Sequence, residues 1–141
     1  DNYGGSPFSQ RKNANNDANR NEQMDCPVWP PSSYQQFGID LNRNHSFGWG
    51  PPGSSNQPCD MTYRGPSKAS ETEVRALEEL VRTLIPDQRA AELTAPAPQD
   101  ATGILITLHS FSELVLWPWG NTGMPAPNWD DLKAIGDKFA S

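Results

Sequence analysis

No stretch of these 141 residues is apolar for the roughly 18 residues a membrane helix needs, and the N-terminus has neither a basic nor an apolar leader region. A membrane-spanning segment is therefore excluded. The chain is expected to be soluble, with any export signal already removed or never included. There is also no run of Lys or Arg to follow a phosphate backbone. Its 17 acidic residues outnumber 11 basic ones, the formal charge is -6, and nucleic acid is excluded as a partner. Cysteine is nearly absent: Cys26 and Cys59 sit in the Pro-rich stretches DCPVWPP and QPCDM, without the C-x-x-C spacing of a zinc site. A disulfide is the first reading of the pair and two free thiols the other; a disulfide suits a secreted protein. Neither a P-loop nor a dinucleotide-type glycine loop is present, and no internal repeat is visible.

What remains is loop-rich, with 14 Pro and 11 Gly, in a length that suits about one domain. Residues 1–36 show no periodicity and read as one long loop, a form that is usually functional at such length. Phe37–Leu41 is a short apolar run bounded by turn residues and predicts a buried strand. Residues 47–65 return to loop. Ser70 three residues before Glu73 has the capping-box spacing, and Val74, Leu77, Leu80, Val81 and Leu84 share one helical face, predicting a helix over 71–85. Ile104–Leu108 is β-branched and apolar on both faces, as in a central strand. A further apolar run covers Leu114–Trp117, and a last helix is predicted over Trp129–Ala140. Strand, helix, strand, helix is the order of an α/β sheet.

Sites in open α/β sheets form beyond the carboxyl ends of strands. Asn42-Arg43 and His109-Ser110 both fall there. A guanidinium beside an amide fits a planar carboxylate, while the plainer reading pairs Arg43 with Asp40 or another acid. His109 reads as a metal ligand, a general base or a satisfied core histidine, and the core reading leads on spacing alone. Glu113 would lie about 13 Å from His109 along an extended strand, too far to share one ion. His45 reads as a loop histidine, and Glu71, Glu73, Glu78 and Glu79 as the solvated face of a capped helix.

Four stretches, 11-RKN-13, 38-GIDLNRNHSFGWG-50, 59-CDMTYRGPSKASETEV-74 and 104-ILITLHSFSELVLWPWG-120, together resemble the zinc carboxypeptidases of the funnelin, carboxypeptidase A-like family, especially its secreted bacterial branch. They stand in that family's order and cover about residues 8–123. The resemblance implies the central segment of a catalytic domain: α/β, part of a mixed, mostly parallel twisted sheet with helices on both faces, incomplete in this chain. Within the single segment 1–141 it implies a long loop (1–36), a core carrying the sites (37–123) and a helix (124–141). It implies that Asn42 and Arg43 bind the terminal carboxylate of a peptide or protein substrate and that Arg11 stabilises the oxyanion. His109 would be a Zn2+ ligand, Ser110 and Phe111 would line the cleft, and Leu116 and Gly120 would lie near the terminal side-chain pocket. Cys26 and Cys59 match a pair that closes a disulfide in some members.

The same resemblance marks what is missing. The His-x-x-Glu motif that supplies the other two zinc ligands does not occur, and no stretch matches the catalytic glutamate. The isolated chain is expected to be inactive, and another segment or chain is expected to complete the sheet around Ile104–Leu108 or leave its apolar surface exposed. Two alternatives share these residues: a binding module that reads carboxylates without a metal, and an amidohydrolase or deacylase of the same superfamily.

Overall fold

The computed structural model describes residues 2–3, 6–7, 9–92, 94–109 and 113–140. Two strands, β1 (Asn2–Tyr3) and β2 (Ser6–Pro7), pair antiparallel with Asn2 opposite Pro7 and Tyr3 opposite Ser6. They form the only sheet among the described residues. Among the described residues three helices follow: α1 (Leu41–Asn44), α2 (Thr72–Leu84) and α3 (Trp129–Ala140). The chain divides into two compact units, residues 1–79 and 80–141, with the boundary inside α2. No helix among the described residues is long and apolar enough to cross a membrane.

In the first unit the expected strand over Phe37–Leu41 does not form. Gly38 has φ +86°, and a Cβ there would overlap the Asn13 carbonyl, so the chain turns where a strand would extend. Two residues later the Asp40 side chain accepts a hydrogen bond from the Asn42 amide and caps α1. Ile39 and Asp40 still bond outward like strand residues: the Asn13 amide donates to the Ile39 carbonyl (3.0 Å) and the Asp40 amide to the Tyr63 carbonyl (2.9 Å). That leaves Ile39 fully buried.

The core of this unit mixes Ile39, Val74, Tyr63 and Cys26 with buried Gln36, Asn44, Lys12, Asp40 and Glu71. Buried polar groups persist only when hydrogen-bonded, and each of these is. Asn44 is the clearest: its Nδ2 lies 2.8, 3.1 and 2.9 Å from the Arg64 and Ser67 carbonyls and Ser70 Oγ, while its Oδ1 accepts from the Glu71 amide at 3.1 Å. Gly65, at φ +82°, leaves room for that amide, since a Cβ would stand 2.8 Å from Asn44 Nδ2. Cys26 and Cys59 form a disulfide with Cα atoms 5.1 Å apart, closing a loop of 33 residues' separation.

Helix α2 matches its predicted span within a residue at each end, but its cap differs. Asn44, not a Ser70–Glu73 box, meets the amide at the helix start, and Ser70 Oγ donates to Glu71 Oε1 (2.8 Å). Of the predicted apolar face only Val74 is buried; Leu77, Leu80 and Leu84 are exposed.

In the second unit α3 begins and ends at the predicted residues. Asn128 Oδ1 accepts from the Ala97 amide at 2.8 Å, and Gly136 lets Trp117 lie against the helix where a Cβ would approach the ring to 2.8 Å. The strand expected at Ile104–Leu108 has no ladder pairing among the described residues, and neither has the apolar run Leu114–Trp117. Ile104, Leu105 and Ile106 are more than half exposed and Leu108 is 94% exposed. A doubly apolar strand holds its place only between neighbours on both faces, and the described residues supply none. The mixed sheet is therefore not formed by them.

Candidate functional site

The first unit presents Asn42 and Arg43 on α1, a single helical turn too short to persist alone. Side chains hold both of its ends. At the N-terminus Asp40 Oδ1 accepts from the Asn42 amide (3.1 Å), while Oδ2 accepts from Arg11 Nε (3.0 Å) and Nη2 (2.8 Å). At the C-terminus Glu78 reaches over from α2. Its Oε1 accepts from the Ser46 amide (2.7 Å) and lies 3.3 Å from His45 Nδ1, and its Oε2 accepts from Ser46 Oγ (2.7 Å). Asn44 pins the inward face.

The outward face is left unspent. The Asn42 side-chain amide is exposed and has no hydrogen-bond partner among the described residues. Arg43 donates through Nε to the Gly53 carbonyl (2.8 Å) and through Nη1 to the Asn42 carbonyl (3.0 Å), both neutral acceptors. No carboxylate pairs with it among the described residues. The expected pairing of Arg43 with Asp40 is thus overturned, because Arg11 already occupies that carboxylate. Two neutral carbonyls orient a guanidinium without cancelling its charge, which is what recognition of an incoming carboxylate requires.

Arg11 is placed differently. It spends two of its donors on a buried acid, and Nη1 is the terminal nitrogen left over. Its neighbour Lys12 turns inward, donating to the carbonyls of Gln36 (2.6 Å), Pro58 (2.6 Å) and Asp60 (3.0 Å), with the Tyr63 ring 5.4 Å away. Burial pushes the Lys12 ammonium down to about 8, against the pull of Asp40, Asp60 and Asp25. The Tyr63 hydroxyl is pushed up, first by burial and then by Asp25 and Glu71. Lys12 ties the segment bearing Arg11 to the loop closed by the disulfide.

In the second unit His109 is exposed, with Thr107 Oγ1 3.3 Å from Nε2. It is not the satisfied core histidine that spacing favoured. Among the described residues no three His, Cys, Asp or Glu side chains gather to hold a metal ion. Ser110 and Phe111 lie outside the described residues. Leu116 and Gly120 are exposed, and Leu116 lines an open groove of about 420 Å³ with Trp117, Trp119, Met124 and Trp129.

Of the four acids expected on a solvated helix face, Glu73 and Glu79 are exposed, but Glu71 and Glu78 are not. Glu71 is buried and accepts from Asn13 Nδ2 (2.7 Å) and Asn15 Nδ2 (2.9 Å), and Glu78 keeps only 14% of its side chain exposed. One signal was available: Val74, Glu78 and Val81 fall on one helical stripe, so Glu78 faces the core side.

The family model described as zinc carboxypeptidase matches residues 2–141. Among curated proteins, the chain is 36% identical over 103 residues to a zinc carboxypeptidase of Simulium vittatum, covering 73% of this chain and 29% of that protein. It is 37% identical over 101 residues to zinc carboxypeptidase A 1 of Anopheles gambiae, covering 72% and 20%. To carboxypeptidase A1 of Mus musculus it is 35% identical over 98 residues, covering 70% and 20%. The matched region thus spans between a fifth and under a third of these relatives' length.

Proposed function

Because the chain belongs to the zinc carboxypeptidase family, we propose that it supplies the wall of a catalytic domain that grips the free C-terminal carboxylate of a peptide or protein. Arg43 meets the carboxylate with the donor edge left over from Gly53 and Asn42, and the Asn42 amide takes a second hydrogen bond. The observation that carries this reading is Arg43 itself, oriented at 2.8 Å by one backbone carbonyl and opposed by no acid among the described residues. A fixed guanidinium at one end of the substrate sets which peptide bond reaches the reacting centre, so the enzyme works from the terminus inward.

The full-length protein is proposed to hydrolyse the C-terminal bond, where the zinc ion implied by the family would, when bound, supply a Lewis acid. The described residues do not make that zinc site: His109 is one candidate ligand, and no group of three ligating side chains forms among them. The share of the relatives that is matched supports reading this chain as the central segment of a larger domain, with the mixed sheet completed by the remainder. The disulfide supports secretion. Leu116 and Gly120 are retained as residues near the terminal side-chain pocket, and Ser110 and Phe111 as cleft residues.

For Arg11 a second reading competes with oxyanion stabilisation. Its two-donor grip on buried Asp40 favours a positioning role at the start of α1, leaving Nη1 and the second hydrogen of Nη2 to face a developing negative charge. A kcat that collapses in Arg11→Gln while KM holds supports the oxyanion role, whereas a rise in KM supports positioning.

The reading of Arg43 is tested on the full-length protein with two non-hydrolysable pseudopeptides, one ending in a free carboxylate and one in an amide. In Arg43→Ala the acid should lose on the order of 100-fold in affinity and the amide little, as expected for a lost charge-assisted pair. Equal losses for both, or none, would overturn it.

A further inference from the structure

Arg43 is aimed by the Gly53 carbonyl, so its direction depends on what fixes that carbonyl. Packing does not. Gly50 and Gly53 both have open space where a Cβ would stand, Gly53 sits at φ +81°, and Pro51, Pro52 and Gly53 are exposed. The loop is held by tethers at its two shoulders, and one residue takes part at each. The Arg64 amide donates to the Ser55 carbonyl (3.0 Å), and the Ser55 amide donates to the Thr62 carbonyl (2.9 Å). The Arg64 carbonyl accepts from Trp49 Nε1 (3.1 Å), and its guanidinium lies over the Trp49 ring, 5.1 Å from the centroid. Arg64 Nη1 then reaches Ser54 Oγ (3.5 Å), whose hydroxyl donates back across the loop to the Gly50 carbonyl (2.8 Å).

We propose that Arg64, stacked on Trp49 and reaching Ser54, is a positioning residue that sets the Gly53 carbonyl and through it the aim of Arg43 at the substrate carboxylate. The proposal rests on the reading of Arg43 given above. Stacking suits a planar guanidinium and not the compact ammonium of lysine. A purely electrostatic role, in which Arg64 only adds positive charge near the site, would survive exchange for lysine; a positioning role would not. A recognition group is only as precise as the shell that supports it.

The test uses the full-length protein and the ratio of affinities for the acid and amide pseudopeptides, with Arg43→Ala as reference. In Arg64→Ala the ratio should fall about tenfold through weaker acid binding, with amide binding unchanged, in keeping with the cost of a small misplacement. Arg64→Lys should fall nearly as far. Ser54→Ala, which removes only a hydroxyl and keeps the fold testable if the Arg64 variants do not express, should lower the ratio by a smaller factor in the same direction. If Arg43→Ala collapses the ratio while Arg64→Lys and Ser54→Ala leave it at the wild-type value, the proposal is overturned and the reading of Arg43 stands. A ratio that Arg43→Ala does not move overturns the reading of Arg43 and this proposal with it. Equal weakening of acid and amide by Arg64→Lys would assign Arg64 a general structural role and reject the positioning one.

Discussion

Residues 9–79 and residues 80–140 reach order by opposite means. The first stretch buries as much polar as apolar side chain, and each buried polar residue is met by carbonyls, amides or carboxylates of the same stretch. The second leaves its most apolar run, Ile104–Leu108, facing outward without ladder partners among the described residues. A loop-rich region can be specified by a hydrogen-bond network and a cross-link whose partners all lie within the same stretch, although 20 to 58 residues separate them along the chain. A central strand cannot be specified that way, since what fixes it are neighbours on both faces. Arg43, the group proposed to read the carboxylate, belongs to the first region, where two backbone carbonyls orient it.

Four variants of the full-length protein would break or sharpen this contrast. Replacing both Cys26 and Cys59 with Ala should cost about 4 kcal/mol in denaturant unfolding, from the chain entropy of a loop this long. A negligible loss would mean the network alone holds the region. Ile106→Ser should cost about 3 kcal/mol there, where neighbours are expected to bury it, yet reduce dye binding to apolar surface by the isolated 141-residue chain. Similar small effects in both settings would contradict the incomplete-sheet account. Glu78→Gln weakens the bonds to Ser46 and should cost about 1–2 kcal/mol, with acid binding falling alongside as α1 loosens. Unchanged stability and binding would show that the helix end needs no such clamp.

The last prediction concerns Lys12 and is read from its sign. Its folded pKa is lowered to about 8 while the unfolded value stays at 10.5. Between those values the unfolded chain binds the extra proton, so stability rises with pH across that window and is level below it. Tyr63, whose pKa is raised, works the other way above about pH 10. Unfolding measured from pH 7 to 10 should therefore show a gain that Lys12→Met abolishes; a gain that persists in the variant would assign it to another group.

Much of this was legible in the sequence where local rules decide. Helix α3 was placed to the residue, and α2 within one residue at each end, by apolar spacing and by Pro86 following it. Of the two readings of the cysteines, disulfide or free thiols, the structure shows the disulfide, which the resemblance also implies. What failed were features decided by distant partners. Phe37–Leu41 has strand composition, but Gly38 and the capping Asp40 turn it into the start of a helix, and Asp40 is committed to Arg11 29 residues upstream. Glu71 and Glu78 looked solvated because charge suggests surface; their partners Asn13, Asn15 and Ser46 lie in loops without periodicity. Asn42 and Arg43 were identified by motif, whereas the freedom of Arg43 from acids became visible only once Asp40 was seen to be taken.

The central claim is that this chain carries the carboxylate-reading wall and not a working metal centre. Its most direct test is release of C-terminal residues from a peptide by the isolated 141-residue chain supplied with zinc, measured before and after a chelator. No chelator-sensitive release is predicted, because the chain has one candidate ligand in His109 and no His-x-x-Glu motif. Chelator-sensitive release by that chain alone would contradict the account.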